Sequence, residues 1–286
     1  MTEQLRNDTS PVGETPFSKR GKPVILMCSP NYFNVTYAIN PWMDPTVPCD
    51  IELAKKQWEE LYNAVLSSGA DIEILKPQPN LPDMVFTANA AFVYNNNAVI
   101  AHYKHPERQA EEPFAAEWFK SQGFSVTTLP ETIYFEGSGD ALIWDTHIFA
   151  GHKARSSIEA HAYLKEASGL TVHPIQLDDQ RYYHVDVCLC PLDTGDFIYA
   201  PDVFNEKTRI QIESVVPESK RIVVSAEEAA QFACNAISVN ERVILNSGAP
   251  RLTETLKAKG YHPIEVNLSE FIKAGGSAKC LSLRLA

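Results

Sequence analysis

The stretch Phe271-Ile-Lys-Ala-Gly-Gly-Ser-Ala-Lys-Cys280-Leu-Ser-Leu-Arg-Leu285 places one cysteine after a run of small residues. Two glycines in this run allow the backbone to approach a ligand closely. Leu281, Leu283 and Leu285 alternate with polar residues, which predicts that Cys280 opens a β-strand. A thiol at such a place suits a nucleophile that a small substrate can reach. A lone cysteine is more often a packing residue, so the rest of the chain must supply the chemistry.

The composition of the chain excludes several classes of partner. The 25 basic and 36 acidic residues give a formal net charge of −11, which argues against nucleic acid or an anionic membrane as partner. No apolar run approaches the roughly 20 residues of a membrane span. Residues 1–22 are polar and lack a signal core, so we expect a flexible tail and a cytoplasmic protein. The spacing of the six cysteines fits reduced thiols better than disulfides.

A unit of strand, hairpin, helix and strand recurs along the chain at intervals of roughly 50 residues. Such recurrence suggests units arranged around an axis or along a solenoid. No linker or change of composition divides residues 23–286, so the pattern predicts a single α/β domain.

Three local signals predict helix ends. Asp50 is expected to cap a helix that runs to about Ser68. Ser156 and Glu159 form a predicted capping box for a helix that ends at Gly169. Ser225 and Glu228 have the same spacing ahead of a third helix.

His184 and Asp186 lie in a strand predicted at 182–192. Residues two apart on a strand face the same way, so both side chains should project together. With a distant cysteine, they would supply a proton shuttle, a charge partner and a nucleophile. A lone histidine is as often satisfied within a core. Cys188 and Cys190 share this face, but the spacing lacks the paired cysteines of a structural zinc site, so we predict no metal.

Glu136 and Asp140 flank the glycine-bearing turn of Phe135-Glu136-Gly-Ser-Gly139-Asp140. Glycine next to aspartate is ordinary turn chemistry. A carboxylate in such a turn can also point into a pocket and hold a cation.

Asp83 and Asn89 border or occupy a strand predicted at 84–94. Asp83 is by default a turn residue, whereas a buried Asn89 amide would need hydrogen-bond partners. Arg108 and Arg155 are candidate clamps for a carboxylate, and Arg155 precedes a predicted helix N-terminus that also favours an anion. Each arginine alone is more often a surface residue.

Four motifs occur in one order along the chain: Phe86-Thr87-Ala88-Asn89, the turn 135–140, His184-x-Asp186, and Gly275-Gly-Ser-Ala-Lys-Cys280-Leu. Together they resemble the guanidine-modifying enzymes of the pentein superfamily. The chain looks closest to the arginine dihydrolases and is related to arginine deiminases and dimethylarginine dimethylaminohydrolases. The resemblance implies an α/β propeller of five blades with pseudo-fivefold symmetry. It also implies a central substrate channel without metal or organic cofactor.

The same resemblance implies roles for the site residues. Cys280 would attack the guanidinium carbon, His184 would transfer protons, and Glu136 would orient His184. Asp186 would bind the guanidinium group. Because these carboxylates would make the empty pocket negative, we expect a thiol that is unreactive until substrate arrives.

Further residues are expected to bind the amino-acid end of the substrate. Arg108 and Arg155 would hold the α-carboxylate, and Asp83 would lie where the α-amino group is recognised. Asp140 is grouped with them as a substrate-binding carboxylate. The expected ligand is L-arginine or a methylated arginine, and a homo-oligomer is compatible with these patterns.

Asn89 stands where the resemblance to arginine deiminases would place an aspartate. An amide offers both a donor and an acceptor, so a neutral ureido intermediate could stay bound for a second attack. The predicted products are then ornithine, two ammonia and carbon dioxide. The alternatives are a deiminase that stops at citrulline, a hydrolase of N-methylated arginine, and a non-catalytic amino-acid-binding protein on the same scaffold.

Overall fold

The computed structural model describes Phe17 and residues 20–286, which form fifteen strands and eight α-helices. The strands are β1 (Val24–Cys28), β2 (Asp71–Leu75), β3 (Ala91–Tyr94), β4 (Asn97–Ile100), β5 (Ser125–Thr127), β6 (Ala141–Trp144), β7 (His147–His152), β8 (Thr171–Gln176), β9 (Leu189–Pro191), β10 (Phe197–Tyr199), β11 (Arg221–Val223), β12 (Ile237–Val239), β13 (Arg242–Asn246), β14 (His262–Val266) and β15 (Leu283–Arg284). The helices are α1 (Ile51–Ser67), α2 (Pro106–Gln109), α3 (Glu112–Ser121), α4 (Ala160–Ser168), α5 (Glu206–Val215), α6 (Ala226–Ala229), α7 (Pro250–Ala258) and α8 (Ser269–Ile272).

The strands form five three-stranded sheets of one design. In each sheet the central strand pairs antiparallel with one neighbour and parallel with the other. Four sheets use consecutive strands, β3–β5, β6–β8, β9–β11 and β12–β14. The remaining sheet has the order β15-β1-β2, with Ile25 opposite Arg284. The last strand therefore completes the first sheet.

The five sheets surround a common axis. One cavity is lined by residues of β3, β6, β9 and β12 and of the β1–β15 pair. The antiparallel pairs β3–β4, β6–β7 and β12–β13 close through hairpins in which Asn95, Asp145 and Asn240 have φ of 50°, 53° and 52°. Asn and Asp tolerate this left-handed region better than other side chains. The predicted five-bladed α/β fold is confirmed.

Helix α1 shows how local signals and packing agree. Asp50 accepts a hydrogen bond from the Leu53 backbone N–H at its N-terminus, as predicted. Leu61 and Val65 are fully buried on the face that packs against the sheets β15-β1-β2 and β12–β14. The helix ends at Ser67, one residue before the predicted end.

The predicted capping box at Ser156 is wrong. Helix α4 begins at Ala160, and its N-cap residue Glu159 makes no side-chain cap hydrogen bond. The Ser156 hydroxyl instead donates to Asp140 Oδ2 at 2.6 Å and accepts from the Glu136 backbone N–H at 3.1 Å. The Ser156 side chain therefore bonds to buried polar groups of the ring and not to the start of α4. By contrast, the predicted cap at Ser225 is confirmed, since its side chain accepts from the backbone at the start of α6.

The backbone ahead of β3 and β9 is not extended. In the strand predicted at 84–94, only Ala91–Tyr94 are extended, and the residues before them belong largely to two 3₁₀ turns, Pro82–Val85 and Thr87–Asn89. Most of the strand predicted at 182–192 is likewise turn, including a 3₁₀ turn at Val185–Val187. These apolar runs are buried from several sides, so they carry no alternation that would distinguish strand from turn.

Two predictions about side-chain direction fail for the same reason. His184 and Asp186 do not share a strand face, because both belong to this irregular backbone. Cys280 does not open a strand, since residues 278–281 form a turn and only Leu283–Arg284 are extended. Ser282, which alternation would place outside, is 2% exposed.

Most of the predicted tail, 1–22, lies outside the described residues, so the tail and the domain boundary stay predictions. Phe17 is 2% exposed and stacks on Trp118 with ring centroids 6.4 Å apart. Lys22 Nζ lies 2.6 Å from Asp71. The described part of this segment therefore contacts the folded body.

Candidate active site

Most of the polar residues singled out in the sequence lie in the segments just before the first strand of each sheet, which we call the leading turns. The leading turns comprise residues 82–90, 136–140, 184–188, 230–236 and 278–282, ahead of β3, β6, β9, β12 and β15. Because the first strands surround the axis, the five turns meet at one end of the ring. This arrangement brings together residues nearly 200 positions apart, Asn89 and Cys280 among them, in one cavity.

Cys280 is 2% exposed and is held by two neighbouring turns. Its Sγ lies 3.1 Å from Asn235 Nδ2, which donates to it, and 3.5 Å from Asp186 Oδ2. The Cys280 backbone N–H also donates to Asn235 Oδ1 at 3.1 Å. Asn235 Nδ2 further donates to the Asp186 carbonyl oxygen at 3.0 Å, so one amide fixes both residues.

The sequence argument assigned no role to Asn235. The available signal was an amide within an apolar run, Phe232-Ala-Cys-Asn235-Ala-Ile, which is the argument applied to Asn89. A buried amide requires partners, and this one finds them in the site.

The surroundings of Cys280 favour the protonated thiol. Burial raises the pKa of the Cys280 thiol well above its usual value, and the Asp186 carboxylate adds to the rise. Burial likewise raises the pKa of Asp186 to about 6, against the opposing effect of His184. A low-dielectric pocket with an adjacent carboxylate disfavours a thiolate. The raised pKa of Cys280 agrees in direction with the unreactive thiol that the sequence predicts.

Glu136 links a histidine to an arginine. Its Oε2 accepts from His184 Nε2 at 2.8 Å and from an Arg155 guanidinium nitrogen at 2.9 Å. Glu136 is fully buried and His184 is 1% exposed. Burial alone would raise the pKa of Glu136, but Arg155 and His184 outweigh it and hold that pKa well below its usual range. Glu136 is therefore a fixed negative charge that orients the imidazole ring.

Asn89 is held at both ends of its amide. Its Oδ1 accepts from Arg108 at 2.9 Å, and its Nδ2 donates to the Glu136 carbonyl oxygen at 3.2 Å. A carboxylate in place of this amide would direct an oxygen at that carbonyl. The surroundings of residue 89 therefore favour an amide over a carboxylate.

Arg108 belongs to a buried network. Glu111 accepts two hydrogen bonds from its guanidinium group, at 2.9 and 2.8 Å, and the Asp83 carbonyl oxygen accepts another at 3.1 Å. The Arg108 guanidinium also lies over the Tyr103 ring. Burial raises the pKa of Glu111 to about 7 although Arg108 opposes it. Arg108 Nη2 also donates to the Tyr103 hydroxyl at 3.4 Å, whereas Nη1 donates only to Asn89, so one N–H of Nη1 has no partner among the described residues.

Asp83 and Arg155 lie on the path into the site. Asp83 accepts from the Tyr37 hydroxyl at 2.9 Å, and burial raises its pKa despite the nearby Arg108. Arg155 lies over the Tyr183 ring and donates to a backbone carbonyl as well as to Glu136. Both residues are 5% exposed or less, and both line the inner cavity.

Asp140 stands apart from the cavity. It accepts from the Ser156 hydroxyl at 2.6 Å and from the Val185 backbone N–H at 3.3 Å. A Cβ on Gly151 would lie 2.3 Å from Asp140 Oδ1, so the carboxylate is tightly enclosed. Its contacts position the turn that follows His184, and Asp140 is not among the residues that line the inner cavity.

Four buried polar atoms at the site have no hydrogen-bond partner within the described residues. They are Asp83 Oδ1, Glu136 Oε1, His184 Nδ1 and Asp186 Oδ1. Three of the four are carboxylate oxygens, which act as acceptors when ionised. Unmet buried acceptors of this kind are expected where a ligand brings several N–H donors.

The inner cavity has a volume of about 10 Å³, room for no more than one water. It is lined by Ile39, Asn40, Met43, Asp83, Phe86, Asn89, Arg108, Arg155, Tyr183, Ala274, Gly276 and Cys280. Ile39, Asn40, Arg155 and Tyr183 also line an outer cavity of about 520 Å³, which leads toward solvent. A ligand larger than one water molecule can reach Cys280 only if the walls move apart.

Two kinds of feature are absent from the described residues, a metal-binding cluster and a membrane-spanning helix. No three or more His, Cys, Asp or Glu side chains come together as a metal site within residues 20–286. In that same part of the chain, no helix is both long and apolar enough to cross a bilayer.

Comparison with known proteins agrees with this geometry. The bifunctional arginine dihydrolase/ornithine cyclodeaminase AgrE of Nostoc sp. is 40% identical over 91% of this chain, which spans 37% of that protein's length. The N(G),N(G)-dimethylarginine dimethylaminohydrolase of Mycobacterium tuberculosis is 37% identical over 96% of this chain and 89% of its own. The crystal structure of the substrate-bound N-terminal domain of the arginine dihydrolase ArgZ superposes with a TM-score of 0.90 at 40% identity, covering 92% of this chain and 98% of that domain.

The five-bladed ring, with its leading turns meeting at one end, is the pentein fold. Residues 37–285 match the family described as N,N dimethylarginine dimethylhydrolase, eukaryotic, and the chain belongs to this family.

Proposed function

We propose that this chain hydrolyses the guanidinium group of L-arginine to ornithine, two ammonia and carbon dioxide through a covalent bond to Cys280. One observation carries the proposal: three unpaired carboxylate oxygens, of Asp83, Glu136 and Asp186, are buried in the candidate site, where Asp186 contacts Cys280 Sγ and Asp83 shares the inner cavity with it. A planar cation with several N–H donors satisfies such acceptors. The similarity to AgrE and ArgZ, both named arginine dihydrolases, supports the choice of substrate.

Substrate binding activates the nucleophile. The guanidinium cation, placed between Glu136 and Asp186, offsets the negative charge that keeps the Cys280 thiol protonated. The thiol proton passes to His184, and the resulting thiolate attacks the guanidinium carbon and forms a tetrahedral adduct. His184 donates a proton to one nitrogen, ammonia leaves, and an S-alkylthiouronium remains on Cys280.

Water completes the first half of the reaction. His184 removes a proton from a water molecule, which attacks the carbon bound to sulfur. The C–S bond breaks and the sulfur leaves as thiolate, so the bound product is citrulline with a neutral ureido group. Glu136 holds the imidazole ring in place throughout, because it is itself held by Arg155.

Retention of the ureido group allows a second round. Asn89 keeps one amide proton and one oxygen lone pair beyond its bonds to Arg108 and to the Glu136 carbonyl. These can serve the carbonyl and amino groups of the ureido intermediate. Cys280 attacks again, and one ammonia leaves. Water then releases the carbon as carbamate, which yields carbon dioxide and ornithine. The whole reaction consumes two water molecules.

The amino-acid end of the substrate meets the charged residues nearer the mouth. Arg155 and the free N–H of Arg108 would bind the α-carboxylate, and Asp83 Oδ1 would accept from the α-amino group. Asp140 acts indirectly, by positioning the turn that follows His184. A substrate without the carboxylate should therefore bind more weakly.

The test is a product balance with purified protein and L-arginine. Ornithine with two ammonia per arginine supports the proposal. Citrulline with one ammonia would show a deiminase and overturn the role of Asn89. Cys280→Ala protein is the control for contaminating activity.

A second candidate is hydrolysis of N-methylated arginine. The family match and the 37% identity to the mycobacterial dimethylarginine dimethylaminohydrolase favour it. Competition between L-arginine and N,N-dimethylarginine in one assay separates the two, because the ratio of their kcat/KM values reports the preferred substrate.

We also infer a cytoplasmic location and a catalytic domain over 23–286 preceded by a separate segment. All six cysteines are free thiols in this structure, which fits a reducing compartment. Localisation of a tagged chain in cells, and limited proteolysis of the purified protein, test these two inferences.

A further inference from the structure

A second cavity lies on the axis of the ring, on the other side of the leading turns. This rear cavity has a volume of about 290 Å³, near the lower end of small-molecule sites. It runs along the first strands of the sheets toward their hairpins, reaching Asn95 and Asp193. None of its lining residues lines the inner or outer cavity of the candidate active site.

The walls of the rear cavity are mostly apolar. Phe92, Leu142, Leu189 and Ile237 are each at most 5% exposed, and they come from four different sheets. The remaining sheet, β15-β1-β2, contributes Ile25. A cavity with such walls favours an apolar group, because burial removes that group from water.

One cation faces this cavity without a counter-charge. Lys279 is half-buried, and its ammonium group makes a single hydrogen bond among the described residues, to the Ser282 carbonyl oxygen at 3.4 Å. No carboxylate oxygen of those residues lies within 4.0 Å of it. Burial lowers the pKa of Lys279, while the more distant Asp186 opposes that shift. An ammonium group has three donors, so two remain for a ligand.

The other charges around the rear cavity are already paired. Arg284 donates to Asp193 at 2.6 Å and to the Ala286 carbonyl oxygen at 3.1 Å. Lys279 is therefore the cation in this cavity that an incoming anion can use. A charge-assisted hydrogen bond in a partly buried place is stronger than a neutral one.

We propose that the rear cavity binds a small amphipathic monocarboxylate, whose carboxylate pairs with Lys279 and whose short apolar tail packs against Phe92, Leu142 and Leu189. The apolar walls select the tail and the single unpaired cation selects one carboxylate. Because Lys279 adjoins Cys280 in the chain, the ligand would lie directly behind the nucleophile. This site is separate from the α-carboxylate site proposed at Arg108 and Arg155.

Isothermal titration of the full chain with hexanoate tests the proposal. We expect saturable binding of one hexanoate per chain, and at least about tenfold weaker binding of 1-hexanol, which lacks the charge. Lys279→Met should weaken hexanoate binding about tenfold or more, whereas Lys279→Arg should retain it. Lys104→Met, which removes a lysine from the outer cavity, is the matched control and should bind as the unmodified protein does.

Two further arms make the result decisive. Ile143→Phe enlarges a half-buried wall residue of the rear cavity, so it should block hexanoate without removing any charge. Saturating L-arginine with Cys280→Ala protein should leave hexanoate binding unchanged. Thermal unfolding of each variant identifies loss of fold. Absent binding at millimolar hexanoate, equal binding by folded Lys279→Met, or displacement by L-arginine would each overturn the proposal.

Discussion

The leading turns and the central strands of the same sheets differ in backbone regularity and in the polarity of their side chains. The central strands β4, β7, β10 and β13 are regular and apolar, and each pairs on both sides. The leading turns, a few residues away, are irregular and equally buried, yet they carry carboxylates, amides, a histidine and a thiol. Burial alone therefore does not separate structural from chemical residues in this protein.

The difference lies in what satisfies the polar groups. Strand backbone is satisfied by its neighbours in the sheet. The polar side chains of the turns satisfy one another, as Asn235 does for Cys280 and Asp186, and four of their atoms remain unsatisfied. Substitutions in the turns should therefore act on turnover, and substitutions in the strands on stability.

The largest effect is expected at Cys280. Cys280→Ala should lower turnover of L-arginine by at least about 10⁴-fold, because no other described thiol faces the inner cavity. Its melting temperature should stay close to that of the unmodified protein. Cys49→Ala, at a half-buried cysteine away from the site, is the control and should retain activity. Substantial product from Cys280→Ala would contradict the covalent route.

Glu136→Gln should lower kcat by about 10²–10³-fold. The amide removes the fixed charge between His184 and Arg155, so the imidazole loses its orientation and its counter-charge. Steady-state kinetics measures the change. Glu112→Gln breaks another Glu–His contact, Glu112 with His102 at 3.2 Å, and should leave kcat within a factor of about two. Equal losses of kcat in Glu136→Gln and Glu112→Gln would contradict a special role for the leading turns.

Asn89→Asp should change the product rather than abolish the reaction. A second carboxylate holds guanidinium but not a neutral ureido group, so the ornithine-to-citrulline ratio should fall about tenfold. Asn240→Asp, in an exposed hairpin, is the matched control and should keep the ratio. Product analysis by chromatography decides, and an unchanged ratio in Asn89→Asp would separate Asn89 from the second hydrolysis.

The pH dependence of kcat/KM should report Asp186. Its pKa is raised to about 6 in the empty site, so the carboxylate is protonated below that pH and binds guanidinium less well. We expect kcat/KM to fall about tenfold for each pH unit below 6. In Asp186→Asn the residual kcat/KM should no longer fall in this way below pH 6. If the same fall persists in that variant, another group is responsible for it.

The smallest effect is expected in a central strand. Ile198→Val in β10 removes one methylene from a fully buried side chain and should lower the free energy of unfolding by about 1 kcal/mol. The kcat and KM values should not change. A loss of turnover without loss of stability would show that strands and turns are more tightly coupled than their contacts indicate.

The sequence was informative where one physical rule decides the outcome. Asp50 and Ser225 cap helices as their residue types predict, and the repeated unit follows from hydrophobic runs and turn residues. It misled where a side chain had two possible partners. Ser156 has the spacing of a helix cap, but it bonds to Asp140 across the ring.

The candidate site was predicted from its motifs rather than from geometry. The argument that placed His184 and Asp186 on one strand face was wrong, because their backbone is turn. Contacts between distant turns, such as Asn235 with Cys280, depend on closure of the ring and leave no local periodicity in the chain. The enclosure of Asp140 behind Gly151 also depends on a neighbouring strand.

The pairing of β15 with β1 has a consequence for synthesis. During synthesis β1 is translated early, but its antiparallel partner β15 is translated only after the other thirteen described strands. Cys280 lies just ahead of β15, so the sulfur gains its fixed place at the moment the ring closes. A growing chain with the other four sheets complete would hold the charged turns without a nucleophile. Ring closure and chemical competence therefore begin together.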